Sequence, residues 1–412
     1  MKETQQLRND EEIVVNAEGG KTKSGGDDSV AFVIQCSDGG SVSCGSGIPQ
    51  FKIKARDPEH VNTLFKDDPY SIALAFVRGE FSIEGDLVAA IRHYRSQSHR
   101  GIGYLFYSAL AHYSVGRLEA WFQSRHRAAS NIRFHYDQSN EFYAQFLDSR
   151  MVYSCGYFQR PDQSLDEAQL RKIEHICRKL NIQRGESFLD IGCGWGALAL
   201  HAAEKYGATS IGCTLSKQQF NFASQMIAQR QLADRIRILL RDYREVEGTV
   251  DKMASVGMFE HVGCRRMVQY FKKLNDLLRP GGLLLNHGIM RPETRKDGPE
   301  TLFIRKNIWP GAELPPLSLV VGAAEEAGFE VVDVENLRPH YALTCRSWVE
   351  RLQEHALPCL RLVGLPTYRT WLLTLAASAA FFEEGSLTVN QLLLYKPGQP
   401  SQRPFTRDYM YV

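Results

Sequence analysis

Paired cysteines are lacking from this chain. Its nine cysteines are odd in number, run from Cys36 to Cys359 and never fall into a CxxC spacing. That excludes a disulfide framework and a structural zinc site, so no metal is expected, and it fits reduced thiols in a cytosol. An excess of one charge is lacking too: 49 Lys and Arg stand against 47 Asp and Glu, a net charge of +2. Without a global basic footprint, no nucleic-acid partner is expected. The longest apolar run, "WLLTLAASAAFF" at 371–382, falls short of the roughly 20 residues a membrane span needs. The first residues, "MKETQQLRNDEEIVV", carry charges where a secretory leader needs an apolar core. Any encounter with a membrane is therefore expected at its inner, cytoplasmic face, as a peripheral visitor.

What is present is an ordinary globular composition, 43% hydrophobic and 23% charged over 412 residues, long enough for two domains. Residues 1–50 contain "EGGKTKSGGDDS" and "CSDGGSVSCGSG", stretches too poor in apolar residues to offset the entropy of ordering. The segment is expected to be disordered, with "VAFVIQC" able to form a strand. Residues 51–125 read as a small α+β unit. In it, "PYSIALAFVRGEFSIEGDLVAAIRHY" gives a helix, a short turn holding Gly79 and Gly85, and a second helix. Basic stretches surround it, and Arg95, Arg100, Arg125, Arg127 and Arg133 are candidates for contact with anionic headgroups. A solvated helix face would give the same pattern.

Residues 126–412 form the larger domain. After residue 160 strands and helices alternate, the pattern of a parallel α/β sheet. "SFLDIG", "TSIGCTLS", "RIRILLRDY", "KMASVGMF" and "LLLNHGIM" are the first five strands, and "EVVDVENL" and "NQLLLYKP" two more. At the end of the first strand, Gly192, Gly194 and Gly196 precede a helix. Backbone can approach a ligand there while a helix N-terminus faces it. The G-x-G-x-G spacing favours a mononucleoside over a dinucleotide pyrophosphate. Asp190 can orient a cationic ligand or nearby amides. The second strand ends without an acid to grip a ribose, and Gln219 is placed to supply a polar contact instead.

"YSCGYF", "FLDIGCGWG", "GCTLSKQQ", "SVGMFEHVG" and "NHGI", in this order, resemble the cyclopropane fatty-acid synthases and the related mycolic-acid methyltransferases. The likeness runs from about residue 135 to the C-terminus, with a weaker one back through "RGEFSIEGDL" to the N-terminal domain of the phospholipid-acting members. It implies a class I S-adenosylmethionine fold, seven-stranded with an antiparallel last strand. By motif matching, Tyr153, Ser154, Gly192, Gly194, Thr214, Leu215 and Gln219 are implied cofactor contacts, with Asp242 and Tyr243 at the adenine. Some relatives carry a tryptophan where this chain has Tyr243, so an aromatic face is kept.

The resemblance further implies action on a cis double bond of an acyl chain, here of an unsaturated phospholipid at the membrane surface, with bound bicarbonate as the base. Cys155 and Ile289 are the implied backbone contacts of that anion, and Glu260, His287 and Tyr341 the side-chain ones. Cys155 then need not be a nucleophile. A glutamate at 260 could also cap the helix that follows. His261 has no such support and reads as structural, and the sequence around Tyr341 looks like a loop. Two alternatives stay open: a methyltransferase that leaves a methyl or methylene branch, and a lipid-binding protein with a vestigial site. Homodimer formation is left open as well.

Overall fold

The computed structural model describes residues 30–37, 39–55, 69–98, 138–294, 313–399 and 403–411. The chain divides into two units, Met1–Tyr104 and Leu105–Val412. The boundary read from the sequence at residue 125 falls outside the described residues.

In the first unit, β1 (Phe32–Cys36), β2 (Ser41–Cys44), β3 (Phe51–Ala55) and β4 (Phe81–Gly85) form a sheet in the order β2-β1-β3-β4. Helices α1 (Pro69–Arg78) and α2 (Leu87–Ser98) flank β4 in sequence. Residues 30–37 and 39–50 are thus ordered where disorder was expected, with β1 in the "VAFVIQC" segment that the sequence allowed as a strand. Composition hid an alternation that matters more: Phe32 pairs in register with Phe51, their rings stack at 4.9 Å, and both bury against Ala89 and Ala90. The glycines there are turn residues. A Cβ at Gly45 would come within 2.7 Å of the Val30 carbonyl oxygen. Likewise the expected turn between the two helices contains β4. Arg95 is buried and so cannot reach a lipid surface; Arg100, Arg125, Arg127 and Arg133 lie outside the described residues.

The second unit begins, among described residues, with the short helix α3 (Asn140–Tyr143) and with α4 (Leu165–Lys179), which a Ser164/Glu167 capping box starts. Then follow β5 (Ser187–Ile191), α5 (Ala197–Tyr206), β6 (Thr209–Thr214), α6 (Lys217–Gln229), β7 (Ile236–Leu240) and β8 (Val250–Val256). After them come α7 (Met267–Leu277), β9 (Leu278–Met290), α8 (Leu317–Glu326) and β10 (Glu330–Asn336). Two helices, α9 (Arg338–Glu354) and α10 (Ala356–Glu383), precede β11 (Thr388–Tyr395). The seven strands lie in the order β10-β11-β9-β8-β5-β6-β7. β11 is antiparallel to both of its neighbours, and the β5 to β9 pairings are parallel.

Both faces of this sheet are covered, as a parallel sheet requires. Tyr270, Phe271 and Leu274 of α7 pack with Leu284, Met290 and Leu392 on one face. Ile173 and Ile176 of α4 pack with Leu283, Leu285 and Leu393 on the other. The run "WLLTLAASAAFF" lies within α10, with Trp371, Leu375, Ala376, Ala379, Phe381 and Phe382 buried. Among the described residues no helix is long and apolar enough to cross a membrane.

Candidate active site

The turn after β5 is pinned by two bonds, with Gly192 N and Cys193 N each donating to the Cys213 carbonyl at 3.0 Å. Gly192, Gly194 and Gly196 all have positive φ, 74°, 55° and 88°. Their surroundings give them different tasks. A Cβ at Gly196 would press on Ala223 at 3.0 Å, so that glycine lets α5 approach α6, while a Cβ at Gly194 would meet nothing within 4 Å. Gly194 opens onto a cavity, and α5 starts beside it with no side-chain cap.

Gly192 and Gly194 line this cavity with Tyr153 and Ser154 from the segment before α4, and Asp190 from β5. Thr214, Leu215 and Gln219 come from the end of β6 and the start of α6, and Asp242 and Tyr243 from the end of β7. Gly196 stands behind the wall. Thr214 Oγ1 donates to Gln219 Oε1 at 2.7 Å. Asp242 accepts from Arg244 Nη2 at 2.6 Å, and that guanidinium lies 5.6 Å from the centre of the Tyr243 ring.

The wall also contains residues that were not anticipated, among them Lys172, Met258, His261 and Arg266. Lys172 is buried and its ammonium donates to Ser154 Oγ at 2.8 Å. Burial pulls Lys172 down to about 8 and pushes the Asp190 carboxyl up to about 7, and each charge partly offsets the other's penalty. A signal for Lys172 existed. Residues 165, 168, 169, 172, 173 and 176 form one buried helical face, and a lysine on that stripe points inward. His261, read as structural, stands in the wall, pulled down to about 4 by burial.

The remaining predicted residues are not in this wall. Glu260 sits in a 3-10 turn, Phe259–His261, after β8. Its Oε1 accepts from Ile289 N at 2.7 Å, while Oε2 is buried with no hydrogen-bond partner. Desolvation pushes this carboxyl up to about 7. The Ile289 N–H, expected to face an anion, is thus turned to Glu260, because a buried carboxylate needs a donor. Gly288 makes the approach feasible: a Cβ there would fall on the Phe259 ring edge and 2.9 Å from Glu260 Oε1. His287 on β9 is buried, its Nε2 has no partner, and burial pulls it down to about 3.

Cys155 is fully buried, with Sγ 3.2 Å from the Gly156 carbonyl. Burial pushes its thiol well up, so it is not a nucleophile at neutral pH. Tyr341 lies in the first turn of α9, not in a loop; Pro339, in the opening turn where no N–H bond is lost, suits a helix start. Its ring stacks on Phe382 at 4.6 Å. Gly156 N donates to Thr344 Oγ1 at 3.0 Å, and Leu337 N to Val389 O at 2.8 Å. Val389 pairs with Ile289 in the sheet. Cys155 and the start of α9 are thereby joined to the strand end that carries His287 and Ile289.

A cavity that opens on a glycine turn at the carboxyl edge of such a sheet places the chain among the S-adenosylmethionine-dependent methyltransferases. The chain belongs to the mycolic acid cyclopropane synthetase family, whose sequence profile matches residues 123–392. A probable fatty acid methyltransferase of Pseudomonas putida is 39% identical over 373 residues, 88% of this chain and 92% of its own length. Cyclopropane mycolic acid synthase 1 of Mycobacterium tuberculosis is 36% identical over 278 residues, 65% of this chain and 97% of its own. Among solved structures, the cyclopropane synthase MmaA2 from Mycobacterium tuberculosis covers 65% of this chain and 98% of its own at 33% identity, with a TM-score of 0.63. The mycolic acid cyclopropane synthase CmaA1, complexed with SAH and CTAB, covers the same shares at 35% identity, with a TM-score of 0.62.

Proposed function

We propose that the chain transfers a one-carbon unit from S-adenosylmethionine to the cis double bond of a phospholipid acyl chain and closes it to a cyclopropane ring. Methyl transfer to one alkene carbon leaves the positive charge on the other. Loss of a proton from the new methyl group then lets the ring close. Bicarbonate, when bound, would supply the base for that proton.

The observation that carries the reading is a pair of buried, unpartnered polar atoms, Glu260 Oε2 and His287 Nε2. Buried polar atoms are ordinarily paired, so these two ask for a polar ligand. On this reading the ligand is a small anion: His287 is held neutral, and Glu260, pushed up to about 7, retains its proton below that pH. Because Glu260 Oε1 accepts from Ile289, the proton belongs on Oε2, which becomes a donor. Tyr341 would complete the set from α9. On the cavity side, Tyr153, Ser154, Thr214, Gln219 and Tyr243 would hold the cofactor. Tyr153 lies 5.0 Å from Trp348 and 5.9 Å from Trp371, ring centre to ring centre. These rings pack behind Tyr153, whose face in the cavity would favour a nearby cation.

Phospholipid as substrate is supported by the N-terminal unit, which extends beyond the residues the mycolic acid synthases match. Drawing an acyl chain from a bilayer requires peripheral attachment at the membrane surface. A branched-chain product is the second reading, favoured by the name of the Pseudomonas putida relative; it shares the cation and differs only in how it collapses. Incubation with methyl-labelled S-adenosylmethionine and unsaturated phospholipid vesicles, with the product read by mass spectrometry and proton NMR, tests both. A ring-bearing chain is expected. A branched chain would replace the ring reading, and no transfer would leave a lipid-binding protein.

A further inference from the structure

His287 has a neighbour that no motif pointed to. In the antiparallel pairing of β9 and β11, Gln391 stands directly opposite His287. The Gln391 amide nitrogen lies 3.2 Å from His287 Nδ1. Both side chains are buried, at 0% and 1% exposure, so neither can turn to water. An amide NH2 group only donates, so Nδ1 must accept, and a neutral imidazole then carries its proton on Nε2. Nε2 is the ring atom that has no protein partner.

The surroundings hold that arrangement in place. Gln391 pairs on its other side with Glu335 of β10. The Glu335 carboxylate is taken up by Lys179 Nζ at 2.5 Å and His175 Nε2 at 2.7 Å, both on α4. His287, Gln391 and Glu335 therefore form one polar row across three strands beneath α4. Gln391 Oε1 is buried without a partner, a cost that an apolar residue of the same size would avoid. Stability alone does not account for a glutamine here.

We propose that Gln391 is a positioning residue for the reaction: by donating to His287 Nδ1 it fixes the ring in the Nε2–H tautomer and aims that N–H at the ligand side of the strand end. The inference rests on the reading of His287 as part of the anion site. In that setting His287 is a donor that orients the anion, and it is not a base.

The tautomer is readable in the full chain labelled with 15N-histidine, with the His287 signals assigned by their loss in His287→Asn. The expected spectrum has a pyridine-type Nδ1 and a protonated Nε2. A carboxylate can only accept from a neutral ring, so Gln391→Glu should move the proton to Nδ1. It should also lower kcat on the order of tenfold to a hundredfold, with KM for S-adenosylmethionine unchanged. Gln391→Leu, which keeps the fold but fixes neither tautomer, should give a mixed ring signal and an intermediate kcat. A parent ring protonated at Nδ1, or a Gln391→Glu protein that keeps both the Nε2–H signal and the parental kcat, would overturn the proposal. The parent spectrum decides it even if a variant does not fold. It also decides it if the lipid assay yields no product, which separates this inference from the proposed reaction.

Discussion

Thr214, Gln219 and Asp242 on the cavity side each engage another protein group, whereas Glu260 Oε2 and His287 Nε2, at the neighbouring strand ends, engage none. On the proposed reading the glycine turn binds by shape, through backbone geometry and an open space, and the strand ends serve the chemistry, their buried polar atoms left for a ligand to satisfy. The two regions should therefore fail differently. Damage to the turn should remove affinity, and damage to the strand ends should remove turnover while binding survives.

The largest effect should come from Glu260→Gln. Glutamine keeps the size and, through its carbonyl, the acceptor for Ile289 N, but places an NH2 group, which only donates, where a titrating oxygen stood. Turnover should fall by about 10²- to 10⁴-fold, the range for removing an acid–base partner, with affinity for S-adenosylmethionine retained. Turnover measured against bicarbonate concentration, with calorimetry alongside, checks both. Added bicarbonate should partly rescue the variant, and equal turnover in both proteins at every concentration would remove Glu260 from the proposed machinery.

Gly194→Val probes the other region. Its φ of 55° disfavours a β-branched residue, and its side chain would enter the cavity. Affinity for S-adenosylmethionine should drop by about tenfold or more, the effect of a 1–3 kcal/mol strain at that backbone. Calorimetry on the folded variant reads it, and unchanged affinity would place the cofactor elsewhere.

A smaller effect separates the two accounts of Glu260 through stability. Its carboxyl is raised from 4.5 to about 7 in the folded chain. Between those values the native state keeps the proton that the unfolded chain releases. Stability is therefore fully present below about 4.5 and is lost as pH rises through about 7. The loss is on the order of 3 kcal/mol. Glu260→Gln should then melt above the parent at pH 8 and level with it at pH 4. A glutamate that only capped a helix would give the opposite sign, a variant less stable at pH 8.

Legibility in the sequence followed the same division. The turn and the strands around it lie within short windows, so their alternation and glycine spacing carried both fold and cavity. Lys172 was missed because a lysine in "LRKIEHICRKL" looks like surface until its place on the buried stripe is noticed. β1 lies in "VAFVIQC", which the sequence allowed as a strand, whereas β2, "SVSC", was hidden by the glycine and serine around it. Gln391 had no local signal at all. It meets His287 across 104 residues of chain, through a register that the packing of whole strands sets.

The smallest expected change, Gly288→Ala, tests how the two regions are joined. A methyl group at 288 would fall on the edge of the Phe259 ring and 2.9 Å from Glu260 Oε1. Phe259 is fully buried, so its ring has no empty space to take. The turn Phe259–His261 must move, and with it the bond from Ile289 N to Glu260. Overpacking of this kind costs about 1–3 kcal/mol, a fall in melting temperature of roughly 2–4 °C per kcal/mol for a large domain. Turnover should drop along with it, because the Glu260 carboxyl is displaced, while the cavity around Gly194 keeps its shape and its affinity. Loss of cofactor affinity in step with turnover would show that the strand ends and the glycine turn act as one unit. Parental melting and turnover would mean that Gly288 is not what lets Glu260 lie against the strand.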